Sequence, residues 1–140
     1  MKEKEFVWSR RLHFREADPA GILFFGNLFS LVHDAYEEYL EHLGFPWENW
    51  FGEKKDYIVP IRQLQAEYQK PLRPGLKTHI GLSLVEVGES SYRVQFRVWQ
   101  NSEQDLCCLG HLVLVFADPE KGKKITIPPK IRAKLSRPLP

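Results

Sequence analysis
From Leu28 onward the apolar residues fall at Leu31, Val32, Ala35, Tyr36, Tyr39, Leu40 and Leu43, the three-and-four spacing of a helix with one buried stripe. Glu37, Glu38, Glu41 and His42 occupy the complementary face. The pattern predicts one long helix that starts at Asn27, is capped by that side chain, and is stopped by Gly44 and Pro46. At 1.5 Å per residue it would be about 25 Å long, enough to cross a small domain. Ahead of it, residues 5 to 14 alternate, with Phe6, Trp8, Leu12 and Phe14 opposed to Glu5, Ser9, Arg11 and His13, which predicts a strand.

After an irregular, aromatic connection over residues 45 to 56, four more extended segments follow. Residues 57 to 70 read as a strand disturbed by Pro60, and Arg73-Pro74-Gly75 turns the chain. Residues 76 to 87 place Thr78, Ile80, Leu82 and Leu84 on one face; Val87-Gly88-Glu89-Ser90 turns again; Tyr92, Val94, Phe96 and Val98 then alternate with Arg93, Gln95 and Arg97. Residues 101 to 105 close that hairpin. Residues 106 to 116 are apolar on both faces, as expected of a central strand. A polar loop over 118 to 124 leads to Pro128-Pro129, which opens a short C-terminal helix.

Short connections imply antiparallel neighbours. The expected architecture is therefore α+β: a five-stranded antiparallel sheet wrapped around one long central helix, the hot-dog arrangement, as a single domain over residues 1 to 140. The outer sheet face keeps Arg93, Gln95, Arg97 and Trp99. Such a sheet usually needs a second subunit at its edge, so a homodimer or homotetramer is expected.

Composition narrows the function classes. The 140 residues are 43% hydrophobic and 27% charged, with a net charge of +2 from 20 basic and 18 acidic groups spread along the chain. That balance gives no strong pull toward nucleic acid or a membrane surface. No apolar run approaches a membrane span, and residues 1 to 5 lead into no apolar signal core, so a cytoplasmic address is expected. Cys107 and Cys108 are adjacent, a mutual disulfide would be strained, and both are read as reduced.

The five histidines, at 13, 33, 42, 79 and 111, lack metal-ligand spacing. Phosphate-cradling glycine loops and a Gly-x-Ser-x-Gly elbow are absent as well. No metal or cofactor is expected. What stands out is Asp18, followed by Pro19, Ala20, Gly21, Ile22, Leu23, Phe24, Phe25 and Gly26. One reading makes Asp18 the cap of a turn formed by Pro19 and Gly21. The other makes it a partly desolvated general base or nucleophile, with amides at the nearby helix start to stabilise an oxyanion.

The stretch from Phe14 to Asn27, Phe-Arg-Glu-Ala-Asp-Pro-Ala-Gly-Ile-Leu-Phe-Phe-Gly-Asn, resembles the signature of the 4-hydroxybenzoyl-CoA thioesterase family of hot-dog proteins. The resemblance implies acyl-CoA thioester hydrolysis, with Asp18 attacking the carbonyl or activating water. It also implies that the Phe25 amide polarises the thioester oxygen, with Gly26 leaving room for close approach. The run from His33 to Leu40 looks like the branch that includes 1,4-dihydroxy-2-naphthoyl-CoA thioesterases, because a histidine stands where the 4-hydroxybenzoyl enzyme has an acid. His33 is thus either a core-edge side chain or a partner for an aromatic hydroxyl. Phe24, Phe25 and Trp47 either wall an acyl pocket or belong to the core. The turn Gly88-Glu89-Ser90-Ser91 lacks the basic residues that dock CoA phosphates in that enzyme, and Lys121, Lys123 and Lys124 either substitute for them or form a solvated loop. The competing expectations are a thioesterase acting on an acyl carrier protein and a hot-dog module that binds acyl-CoA without cleaving it.

Overall fold
The computed structural model describes residues 5–45 and 56–136. Five strands form one antiparallel sheet: β1 (Phe6–Arg11), β2 (Ile61–Tyr68), β3 (Lys77–Val87), β4 (Ser91–Trp99) and β5 (Cys108–Val115). Their spatial order is β1-β3-β4-β5-β2, so β1 and β2 are the two edges and the sheet stays open. Helix α1 (Asn27–His42) lies against its inner face, and α2 (Pro129–Leu135) is the short C-terminal helix. This is the hot-dog arrangement.

The helical stripe is buried as its spacing predicts: Leu28, Leu31, Val32, Ala35, Tyr36, Tyr39 and Leu40 all lie in the core. They meet Ile80 and Leu82 of β3, Val94, Phe96 and Val98 of β4, and Leu112 and Leu114 of β5. Full burial of each such side chain is worth roughly 1.5–3 kcal/mol, and this shared core holds helix to sheet. The Tyr36 and Tyr92 hydroxyls hydrogen-bond each other inside it, and burial holds the Tyr92 hydroxyl well above the usual phenol range. Gly44 adopts φ +93°, the left-handed conformation that ends α1.

Three expectations are corrected. Asn27 is the first residue of α1 and does not cap it; Gly26 takes the cap position, and the Asn27 amide donates instead to the Glu16 carbonyl at 2.9 Å. Phe14 does not continue the inner face of β1, because a single 3-10 turn over Phe14–Glu16 carries its ring outward to 88% exposure. On the outer sheet face, Trp99 is largely covered. Its ring stacks on His79 at 5.5 Å and lies 5.0 Å under the Arg97 guanidinium, which is itself paired with Glu5 and Glu103. Cys107 and Cys108 are unbridged and buried, and burial pushes the Cys108 thiol up to about 12.

Candidate active site
The segment between β1 and α1 folds back on itself. Asp18 N–H donates to the Ile22 carbonyl at 2.8 Å, Gly21 N–H donates to the Asp18 carbonyl at 2.9 Å, and Ala17 bridges Leu23. This is a three-residue hairpin loop of Pro19, Ala20 and Gly21, a turn completed by a left-handed residue, and Gly21 fills that place at φ +80°. Leu23 N–H then ties the returning arm to the Leu72 carbonyl at 2.7 Å.

Asp18 does cap this turn, since its Oδ1 accepts the Ala20 N–H at 2.8 Å. Its Oδ2 has no partner among the described residues, and the side chain is half-buried. One carboxylate oxygen thus orients the group.

The second half of the segment aims an amide. The Phe24 carbonyl accepts the Asn27 N–H at 2.8 Å, and in a trans peptide the following N–H points the opposite way. The Phe25 N–H is therefore turned away from the helix start, and it has no acceptor among the described residues. The Phe25 carbonyl is held by the Tyr68 hydroxyl at 3.0 Å and by the Leu28 N–H at 3.3 Å. At Gly26 a Cβ would meet the Phe24 ring at 2.9 Å, so the missing side chain accommodates that ring.

Beneath both arms sits Glu16, which sequence reasoning missed. Its carboxylate accepts two hydrogen bonds from Arg10, at 2.8 and 2.7 Å, and a third from the His13 N–H at 2.8 Å. Those bonds, the Arg10 pair foremost, hold the Glu16 carboxyl below the usual glutamate range. The available signal was Arg10 itself, in register with Phe6, Trp8 and Leu12 on the inward face of β1, where a charge needs a partner. Tyr68, the last residue of β2, carried no signal in its local sequence.

A family model for the thioesterase-like superfamily matches residues 12–135. The chain belongs to that superfamily. A 1,4-dihydroxy-2-naphthoyl-CoA hydrolase of Synechococcus elongatus is 29% identical over 99 residues, spanning 71% of this chain and 73% of that protein. The solved structure of a 1,4-dihydroxy-2-naphthoyl-CoA thioesterase from Synechocystis superposes with a TM-score of 0.85 at 17% identity, covering 94% of this chain and 96% of that one. A 4-hydroxybenzoyl-CoA thioesterase variant, solved with 4-hydroxybenzoyl-CoA, gives a TM-score of 0.81 at 20% identity, covering 94% and 99%. The chain is a thioester hydrolase.

In this thioesterase-like chain, not all the expected site residues come together. Phe24 and Phe25 pack on each other with ring centroids 4.7 Å apart, and both are exposed, so neither is core. His33, two turns into α1, is half-buried with Nδ1 3.8 Å from a Glu37 carboxylate oxygen and its ring 5.9 Å from Tyr36. Trp47 lies outside the described residues. Lys121, Lys123 and Lys124 are exposed and stand beyond the C-terminal end of β5, whereas Tyr68 and Phe25 adjoin its first residue, Cys108. Eight strand residues separate those ends, roughly 25 Å. The lysine loop and Asp18 of one chain are thus at opposite ends of the sheet.

Two shallow depressions, of about 330 and 360 Å³, lie elsewhere, one around Arg93 and His111 on the outer face and one around Arg10 and Glu37 between β1 and α1; Asp18 lines neither. No helix of the described residues is long and apolar enough to cross a membrane.

Proposed function
We propose that the chain hydrolyses the CoA thioester of a hydroxyaromatic acid, releasing free acid and CoA. The observation that carries this is the presence, on one hydrogen-bonded segment, of a carboxylate oxygen and a backbone N–H that both lack partners among the described residues, Asp18 Oδ2 and the Phe25 amide. The amide stabilises negative charge as it develops on the thioester oxygen, while Asp18 attacks the carbonyl carbon or draws a proton from the water that does. Collapse of the adduct breaks the C–S bond and expels the thiolate, which takes the proton held by Asp18 on the water route or one from solvent on the covalent route. On the covalent route water then opens the Asp18–acyl anhydride to release the acid and restore the carboxylate. Single-turnover hydrolysis in ¹⁸O-water separates the two routes, because only covalent attack transfers oxygen from Asp18 to the first product.

Phe24 and Gly26 flank the thioester. His33 bonds a hydroxyl on the acyl ring, the substrate class named by the superfamily relatives above. Exposed Phe24, Phe25 and Tyr68 lie together beside the open edge of β2, and exposed Phe14 and Phe29 stand in the chain just before and just after the segment. An apolar patch of this kind on an unpaired strand edge fits a second copy of the chain, so the working form is a homodimer or homotetramer.

The test is thiol release from acyl, benzoyl, hydroxybenzoyl and dihydroxynaphthoyl CoA thioesters. Hydroxyaromatic substrates should lead, and His33→Ala should narrow their advantage over benzoyl-CoA about tenfold, the value of one hydrogen bond. No release from any of them would contradict the reading and direct attention to carrier-bound thioesters.

A further inference from the structure
We propose that Arg10 and Glu16 act as a positioning pair that sets the Asp18 carboxylate against the Phe25 amide. This rests on the thioesterase reading above and adds a residue pair to it.

The geometry has three parts. Glu16 precedes Asp18 by only two residues, so its placement starts the arm that carries the carboxylate. Its backbone carbonyl accepts both the Phe24 N–H and the Asn27 side-chain amide, each at 2.9 Å. Phe25 and Gly26 are therefore bracketed between two residues held by one oxygen. The Glu16 side chain, only 8% of the residue being exposed, is fixed in turn to β1 by the two-pronged Arg10 contact and to the His13 amide. Arg10 Nη2 also lies 4.0 Å from Asp34 on α1, which carries the same clamp to the helix.

The carboxylate arm and the amide arm thus have a common origin in one residue that hydrogen-bonds neither the Asp18 carboxylate nor the Phe25 N–H. A planar two-donor guanidinium against a carboxylate fixes direction as well as distance, which a lysine cannot reproduce. A displacement of about 1 Å between reacting groups is enough to cost on the order of 10²-fold in rate.

The experiment compares Glu16→Gln, Arg10→Lys and the double variant with the unmodified protein, by steady-state thiol release and by the amide NMR resonances of Ala20, Phe25 and Gly26. Glu16→Gln keeps the shape of the side chain and an acceptor for His13, so the fold should persist; Arg10→Lys keeps the charge if it does not. The expected result is a kcat loss of roughly 10- to 100-fold with KM within about threefold, shifted resonances at Phe25 and Ala20, and a double variant no worse than the poorer single one. Unchanged resonances and kcat in both single variants would overturn the proposal, and so would a loss confined to KM. Should the unmodified protein cleave no thioester, the thioesterase reading falls, while the resonances still decide whether the pair sets the two groups.

Discussion

Two Asp-Pro turns stand at opposite ends of the sheet, and their backbones are built almost alike. At Asp18, Oδ1 accepts the Ala20 N–H at 2.8 Å, the Asp18 N–H reaches the Ile22 carbonyl at 2.8 Å, and Gly21 sits at φ +80°. At Asp118, Oδ1 accepts the Glu120 N–H at 2.8 Å, the Asp118 N–H reaches the Lys123 carbonyl at 2.8 Å, and Gly122 sits at φ +71°. The second turn is longer by one residue. Turn chemistry alone therefore does not mark a site.

What separates them is their surroundings. The Asp18 turn runs into two exposed phenylalanines and an amide without an acceptor among the described residues, over a part-buried Arg10–Glu16 pair. The Asp118 turn runs into exposed lysines and returns to the sheet through the Ala117–Lys124 bridge. In addition, Lys121 N–H shares the Asp118 Oδ1 at 3.3 Å, so that oxygen serves the loop twice.

The largest expected effect on stability comes from the pair that only the Asp18 end possesses. Glu16→Ala should cost roughly 1.5–3 kcal/mol in urea unfolding, since it strips a part-buried guanidinium of its partner. The same pair makes that end acid-sensitive. Glu16 is held below its ordinary value in the folded protein, so its contribution is complete above about pH 4.3 and is lost as the pH falls through the lower folded value. Between pH 7 and pH 3 the unmodified protein should lose more stability than Glu16→Gln does; equal losses would mean that the carboxylate is not held as described.

Gly21→Ala and Gly122→Ala sharpen the comparison, because both glycines have positive φ and neither would meet a neighbour through a new Cβ. Each should cost about 1 kcal/mol from backbone strain. Activity should fall only for Gly21→Ala. Smaller still is the effect of changing Lys121, Lys123 and Lys124 together to Gln: under about 0.5 kcal/mol per site, with kcat unchanged. A rise in KM for CoA thioesters there would bring the lysine loop of a second copy over the site.

Much of this was legible in the residues. The α1 stripe and the alternation of β3 and β4 follow from burial period alone, and they came out as the spacing predicts. Asn27 misled because its amide has a better use than capping, a carbonyl 11 residues away, and no local rule contains that competitor. Phe14 misled because the 3-10 turn at its own position breaks the alternation. The separation of the lysine loop from Asp18 needed the strand directions as well as the loop compositions. Glu16 was hidden for a similar reason, since its partner comes from β1 and its two carbonyl contacts from beyond the loop.

The most direct test sets the two turns against each other. Asp18→Asn and Asp118→Asn keep an Oδ1 acceptor in each turn while removing the charge, and kcat/KM is measured for each on a hydroxyaromatic CoA thioester. Asp18→Asn should lose at least ~10²-fold and Asp118→Asn should stay within about threefold. Full activity in Asp18→Asn, or equal losses in both variants, would contradict the assignment of this end of the sheet as the active site.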